Sequence, residues 1–303
     1  MNNCPSVSII ILNWNNYSDT AECLSSLENI EYCNYDVVVV DNGSTDRSGQ
    51  RLKSEFSWCK FIFNGDNLGF AGGNNIGINY SLEQGYDYIL LLNNDTIVQK
   101  NFMEPLIETA ETKNDAAGVS GVIKKFNSEE IWYADGDFNT LFVRGKVKDT
   151  PKSQSDTYQV DQITGALFLL NSDYICRDVL NEEYFLGQED TELSWEIATS
   201  ENWNLYVNPN STIYHKVSST RGDHNSFRYY HSTRNRIIFA QNNLDALEQI
   251  IFLSFLIVTR IIRFFEWLLV SRFDLILATV LAVYDIIRGK RPRRLDLLDK
   301  YEN

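Results

Sequence analysis

The chain has no basic excess. In 303 residues, 41 Asp and Glu outnumber 27 Lys and Arg, a formal net charge of −14. A general nucleic-acid binder needs a basic footprint, so that class is set aside. The five cysteines, Cys4, Cys23, Cys33, Cys59 and Cys176, are odd in number, and no pair has metal-site spacing. Reduced thiols in a cytosolic compartment are the expectation. The N-terminus, MNNCPSVSIIILNW, has no basic n-region and reads as the approach to a first strand rather than a signal peptide. There is no GxxxxGK[ST] element, and the glycines at 69, 72, 73 and 77 do not form a GxGxxG fingerprint, which leaves ATP or NAD little support. Three histidines, His215, His224 and His231, form neither HxxxH nor HExxH, so a zinc hydrolase is not indicated. The longest uncharged apolar piece of the C-terminal region, Ile250 to Thr259, falls short of the about 20 residues that a membrane-spanning helix needs.

What is present is a folded composition, 44% apolar and 22% charged, in a chain long enough for one large core or two smaller ones. β-Branched runs open the pattern. Ser6 to Trp14 and Val37 to Val40 read as buried parallel strands, with CKFIFNG and Tyr88 to Asn93 as the third and fourth. Helical spacing falls between them: Thr20 to Ile30 capped by Asp19 or Thr20, Arg47 to Phe56, and a helix that leaves a Gly-rich turn and ends near Gly85. This alternation predicts an α/β layer around a mostly parallel sheet, with ligands beyond the carboxyl ends of the strands. Further on, the pattern predicts a helix over Phe102 to Thr112, a strand in AAGVSGVIKKF and a hairpin from IWYADG and LFVRGKV. It then predicts a strand followed by a helix start at Ser172, a helix after GQED, extended LYVNPNSTIYHKV and a helix over Phe227 to Asn243.

Several polar turns could carry chemistry, and each also has a plain structural explanation. Asp95, after YILLLNN, could hold a divalent cation of the Mg or Mn kind or simply end a strand. Asp41, in VVVVDNGSTD, could accept the ring N–H of a pyrimidine or only cap the next helix. NLGFAGGNNIG offers the amides of Asn67, Asn74 and Asn75, with Gly69, Gly72 and Gly73 leaving room for a bulky ligand. Glu189 and Asp190 open a helix, where one could be a general base and both could balance the helix dipole. His215 could complete a metal site or contact a diphosphate.

As an ordered set, SIIILNWNN, VVVDNGSTD, NLGFAGGNNIG with LLLNND, and GALFLLNSDYI with YFLGQED resemble family 2 inverting glycosyltransferases of the GT-A type. IYHKVSST and YYHSTRN add to the match, and the bacterial rhamnosyltransferase-like branch is the nearest in pattern. The resemblance covers about residues 6 to 240. It implies an α/β GT-A fold, Rossmann-like with a mixed central sheet, and a catalytic domain over residues 1–245.

It also implies a nucleotide-sugar donor, dTDP-β-L-rhamnose or alternatively a UDP-hexose or UDP-N-acetylhexosamine. Asp41 would bind the base, Asn13 and Asn15 would border the nucleotide, and Asn67, Gly72 and Asn74 would shape the ribose and sugar side. The family's acidic triplet falls on Asn93, Asn94 and Asp95, so the first acid is replaced. Asp95 would hold Mg2+ or Mn2+, with His215 as the second ligand and the two amides beside them. Asp190 would be the base. Glu189, Gly165, Ala166 and Trp132 would meet the acceptor, a lipid-linked glycan of O-antigen or capsule synthesis. The rivals are a nucleotidyltransferase, for which Asn13 to Asn16 supply no basic triphosphate loop, and an inactive carbohydrate-binding scaffold.

The C-terminal region, residues 246–303, has a different composition. Residues 250–303 hold nine Lys and Arg against six Asp and Glu, leaving 18 against 35 in residues 1–249. Arg260, Arg263 and Glu266/Trp267 fall on one side of a helical wheel, and RGKRPRR, Arg288 to Arg294, follows. The pattern predicts helices lying at the cytoplasmic face of a bacterial membrane, with packing or a homodimer contact as the alternative.

Overall fold

The computed structural model describes residues 4–217 and 226–289. His224, the SST of IYHKVSST and residues 290–294 of the basic run lie outside the described residues.

β-Branched and aliphatic side chains make the first four strands: β1 (Val7–Asn13), β2 (Tyr35–Asp41), β3 (Lys60–Phe63) and β4 (Tyr88–Leu92). The helices between them are α1 (Tyr17–Leu27), α2 (Ser48–Glu55) and α3 (Gly69–Gln84). Next come β5 (Thr96–Val98), α4 (Met103–Thr112), β6 (Ala116–Lys125), β7 (Ile131–Tyr133), β8 (Asp135–Asn139), β9 (Arg144–Lys148), β10 (Tyr158–Val160) and β11 (Leu167–Asn171). The chain continues through α5 (Glu189–Ala198), β12 (Asn204–His215), α6 (Ser226–Asn243), α7 (Ala246–Leu269) and α8 (Phe273–Ile287).

The main sheet is mixed, in the order β10-β12-β6-β11-β4-β1-β2-β3, with β5 added to β12 and β7 to β6. β1 is parallel to β2 and β4, and β6 is parallel to β12, while β11 runs antiparallel between β4 and β6. It follows that β1, β2, β4, β6 and β12 all end at one edge. Asn13, Asp41, Asn93 and His215 therefore come out on the same side of the molecule. The core packs on this sheet, with Ile9, Ile10, Ile11, Val38, Leu90 and Phe168 sealed from water.

The structure corrects several expectations. Helix α1 starts earlier than Thr20, because the Asn16 side chain accepts from the Asp19 N–H and caps it. The glycines after Asn67 lie inside α3 rather than in a turn. A Cβ at Gly73 would come 2.4 Å from Leu12, and one at Gly77 would come 2.7 Å from Ile10. These glycines let α3 lie directly on β1, which offsets a helix-propensity loss of about 1 kcal/mol each. No helix starts at Ser172; Asn171 accepts from the Asp173 N–H and closes a turn instead. The expected hairpin forms from β8 and β9, whereas the IWY strand, β7, joins β6. Cys4 and Cys33 are paired in a disulfide, against the expectation of reduced thiols, while Cys23, Cys59 and Cys176 are free.

Helices α6, α7 and α8 pack on one another beside the sheet. Phe239, Phe252, Leu256 and Tyr184 form one small core, and Tyr230, Ala278 and Ala282 form another. Among the described residues no helix is long and apolar enough to cross a membrane.

Candidate active site

Asp41 ends β2 and is almost wholly buried. Its Oδ2 accepts from Asn13 Nδ2 at 2.9 Å and its Oδ1 from the Ser44 N–H at 3.1 Å. Gly43, at φ +74°, makes the turn beneath, and a Cβ there would sit 2.5 Å from the Asp66 backbone. The turn after β2 thus touches the turn before α3. Asn42 ties them together: it accepts from the Leu68 N–H at 3.0 Å and donates to Asn67 Oδ1 at 3.1 Å. Asn67 also accepts from the Gly69 N–H at 2.9 Å, so these two amides hold the start of α3.

Asn13 is fully buried, with Ser44 and Ser48 hydroxyls also within 3.1 Å of its Nδ2. Asn15, exposed and at φ +48°, accepts from the Thr45 and Asp46 N–H groups and shapes the same turn. Asn74 is buried in α3 and donates to the Phe70 carbonyl of its own helix, while Gly72 lies against Leu68 and Glu182. Asn74 and Gly72 are thus placed within α3 rather than in the turns at the sheet edge.

A polar relay crosses from this end to the turn after β4. Thr20 Oγ1 donates to Asn13 Oδ1 at 2.9 Å and accepts from Asn94 Nδ2 at 2.8 Å. Asp95 follows Asn94. Strand β5 pairs with β12 so that Thr96 faces His215, and Asp95 Oδ1 lies 2.9 Å from His215 Nε2. Both side chains are largely buried, and His215 Nδ1 is buried with no hydrogen-bond partner. Trp132 packs its ring edge-on against His215 at 4.7 Å between centroids. Lys216, just after β12, forms ion pairs with Asp19 and Glu22 beside them.

The acid pair lies across the β4–β11 junction. Asn93 N–H donates to the Ala166 carbonyl at 3.2 Å, and the neighbouring Gly165 N–H donates to Asp190 Oδ2 at 2.9 Å. Glu189 and Asp190 open α5 after Gly187 (φ +77°) and Gln188 (φ +90°), two left-handed residues that turn the chain into the helix. Burial pushes both carboxyls upward, and the Asp190 charge pushes Glu189 further. Donors separate the pair. Gly165 and Thr191 hydrogen-bond Asp190 and favour its carboxylate, whereas Glu189 Oε2 is buried without a partner. Both carboxyls are thus shifted upward, with more donors favouring the carboxylate of Asp190 than of Glu189. From α6, Asn235 donates to the carbonyls of Leu186 and Gly187 and fixes the loop beneath them.

Asp41, Asp95 and Asp190, three carboxylates distant in sequence, are thus joined through short links at one sheet edge. Thr20, read only as a possible helix cap, and Asn42 and Asn235 were not singled out as site residues. Thr20 had a visible signal, as a polar residue on the buried Thr20/Cys23/Leu24/Leu27 face of α1. Asn42 stood inside a quoted motif, and Asn235 ended another.

An open mixed sheet with polar turns at the strand ends and a buried acid pair beside them is the arrangement of a GT-A fold. Residues 8–175 match the profile of Glycosyl transferase family 2, more than half of the chain, and the protein belongs to that family. It is 27% identical over 249 residues to the low-salt glycan biosynthesis hexosyltransferase Agl10 of Haloferax volcanii, covering 78% of this chain and 76% of that protein. It is 24% identical over 267 residues to the dTDP-rhamnosyl transferase RfbF of Shigella flexneri, covering 84% and 86%. The solved structure of GalNAc-T7 with UDP, GalNAc and Mn2+ superposes with a TM-score of 0.61 at 18% identity, over 80% of this chain and 48% of that one.

Proposed function

We propose that the protein transfers a hexose or N-acetylhexosamine from a UDP-linked donor to a hydroxyl of a glycan acceptor, with inversion at the anomeric carbon. The reading is supported above all by the hydrogen bonds and short backbone steps that connect the neighbourhoods of Asp41, Asp95 and Asp190 along one edge of the sheet. Asp41 keeps a further lone pair on each oxygen and takes the pyrimidine N–H, held in place by Asn13 and Ser44. Asn13 acts from below as a positioning residue, and Asn15 and Asn67 set the turns that line the nucleotide.

Asp95 and His215 suit a divalent cation: one carboxylate oxygen and one imidazole nitrogen face each other, a donor set that favours Mn2+ over Mg2+. When bound, such a cation offsets the charge that develops on the departing diphosphate. Among the described residues no group of three or more His, Cys, Asp or Glu side chains could hold a metal, so Asp95 and His215 would hold it together with oxygens from outside the protein.

Asp190 takes the proton of the acceptor hydroxyl as that oxygen attacks the anomeric carbon opposite the diphosphate. Glu189 meets the acceptor beside it. Gly165 keeps the approach open; a Cβ there would lie 2.9 Å from Phe70. Ala166 and Trp132 border the acceptor side, with Trp132 offering an aromatic edge.

The likeness to the hexosyltransferase Agl10 supports transfer of a hexose, and a UDP-linked donor accords with the fold shared with GalNAc-T7, solved with UDP. The likeness to RfbF supports L-rhamnose from dTDP-β-L-rhamnose as the second reading. A non-catalytic scaffold would have no use for a buried carboxyl pair that costs stability to keep. The deciding experiment is a donor panel of UDP-, dTDP- and GDP-sugars with lipid-linked glycan acceptors, alongside calorimetry with UDP, dTDP and GDP. UDP binding and turnover of a UDP-sugar are expected, and turnover of dTDP-rhamnose alone would select the second reading. Absence of nucleotide binding altogether would overturn the assignment.

A further inference from the structure

Helix α7 is oriented against the usual pattern. Its charged residue Arg260 turns inward with Phe252, Leu256 and Trp267, while Ile250, Ile257, Ile261, Phe265 and Leu269 are more than half exposed. Of the 26 exposed large hydrophobic residues among those described, 19 lie between Leu247 and Ile287, on α7, α8 and the turn between them. Scattered exposed hydrophobics are ordinary; a contiguous face of this extent marks an interaction surface.

Beside this face three arginines gather, without a counter-charge among the described residues. Arg236 of α6 is 4% exposed, and its Nε and Nη2 both donate to the Phe142 carbonyl in the β8–β9 turn. Arg260 donates to the Tyr229 hydroxyl, and its Nε is buried with no partner. Arg144 of β9 is exposed, and its charge acts on both. Among the described residues no carboxylate forms an ion pair with any of the three. Burial and the Arg144 charge push Arg236 down to about 9, and burial with the Arg144 and Arg263 charges pushes Arg260 down to about 10. Uncompensated buried guanidinium groups are costly unless an anion meets them. The hairpin tip reaches the same helix, with Phe142 packed edge-on against Phe255 at 4.8 Å and itself 40% exposed.

We propose that Arg144, Arg236 and Arg260 form a site for the phosphate of an anionic membrane lipid, and that the outward faces of α7 and α8 rest among its acyl chains. Charge selects a bilayer over a second copy of the chain. Among the described residues, 250–289 carry four basic against three acidic residues with Arg144 and Arg236 beside them, whereas residues 1–249 carry 18 basic against 35 acidic and are repelled by an anionic surface. The protein therefore approaches the membrane by this face. Arginine forks suit phosphate oxygens, and the apolar side of α7 supplies the buried area that an interfacial helix needs. This docking rests on the transferase reading only in giving the enzyme a place beside a lipid-linked acceptor; the surface itself is independent of that reading.

The test is vesicle co-sedimentation of the full chain, with calorimetric UDP binding as the control for folding and for the transferase reading. Wild type is expected to sediment with phosphatidylglycerol-containing vesicles and far less with phosphatidylcholine alone. Arg144→Gln combined with Arg260→Gln should weaken the phosphatidylglycerol preference about 30-fold, the effect of two charges at about 1 kcal/mol each. Ile257→Glu with Ile261→Glu, both on exposed positions, should abolish sedimentation with either vesicle. The arginine pair sedimenting like wild type would overturn the phosphate site. Stabilisation of wild type by inorganic phosphate without any sedimentation would make the cluster a soluble-anion site and overturn the docking. So would a stable dimer in gel filtration that ignores vesicles.

Discussion

Replacing Asp190 by Asn removes one proton acceptor and leaves the scaffold around it. The asparagine carbonyl can still accept from the Gly165 N–H, now at 2.9 Å from Asp190, and the amide remains near Thr191. The buried charge disappears, so stability should hold or rise. Asp41, Asn13 and the turn at Gly43 are linked to this residue only through the strand ends, so nucleotide binding should stay within about 2-fold of wild type, less than 0.5 kcal/mol. Transfer should fall by about 10²–10⁴-fold, the usual contribution of a positioned general base and about 3–5 kcal/mol in the barrier.

The pH profile adds a second readout. Burial raises the Asp190 carboxyl above the ordinary carboxylate range, and the base works only when ionised. Wild-type kcat/KM should therefore rise with pH along a limb displaced upward from the about 3.9 of a free aspartate, and the variant should lose that limb. Single-turnover transfer with labelled donor across pH, beside UDP calorimetry, measures both. Full turnover by Asp190→Asn, or UDP binding lost in proportion to activity, would refute the assignment of this residue as base.

Asp95→Ala and His215→Ala should each weaken Mn2+ binding measured by calorimetry in the presence of UDP, and wild type without UDP should bind Mn2+ poorly, because the protein offers only two ligands. Strong Mn2+ binding by the nucleotide-free protein would contradict that. Gly43→Ala forces a left-handed residue and a contact with the Asp66 backbone. It should cost at least about 1–2 kcal/mol, seen as a lower Tm together with weaker UDP binding. Thr20→Val leaves the Asn13 and Asn94 amides short of a partner and should destabilise by about 1–3 kcal/mol in denaturant titration, with kcat reduced.

The parallel half of the sheet was legible because Ser6 to Trp14, Val37 to Val40 and Tyr88 to Asn93 are short apolar runs ended by polar turns, a pattern that local chemistry alone produces. The helix bearing Glu189 and Asp190 was legible for the same reason. Other features depend on partners far along the chain. Nothing near Asp95 announces that β5 will add to β12, since that pairing follows an irregularity between Asn208 and Thr212. The glycines after Asn67 read as a turn because the Leu12 and Ile10 side chains that require Gly73 and Gly77 belong to β1, far along the chain. A wheel drawn for α7 groups Arg260 with Trp267, yet only the packing against Tyr229 tells which side faces the body. The helix expected at Ser172 failed on local grounds, through the Asn171 turn, and that signal was available.

The Asp95–His215 pair joins residues 120 positions apart, and β12 is the last strand of the sheet. A chain still emerging from the ribosome has the turns after β1, β2 and β4 long before it has this couple. The pair can close only once residue 215 is out and β12 has zipped against β5. The proposed ion site is then completed in one step, after most of the sheet is already in place, rather than by degrees.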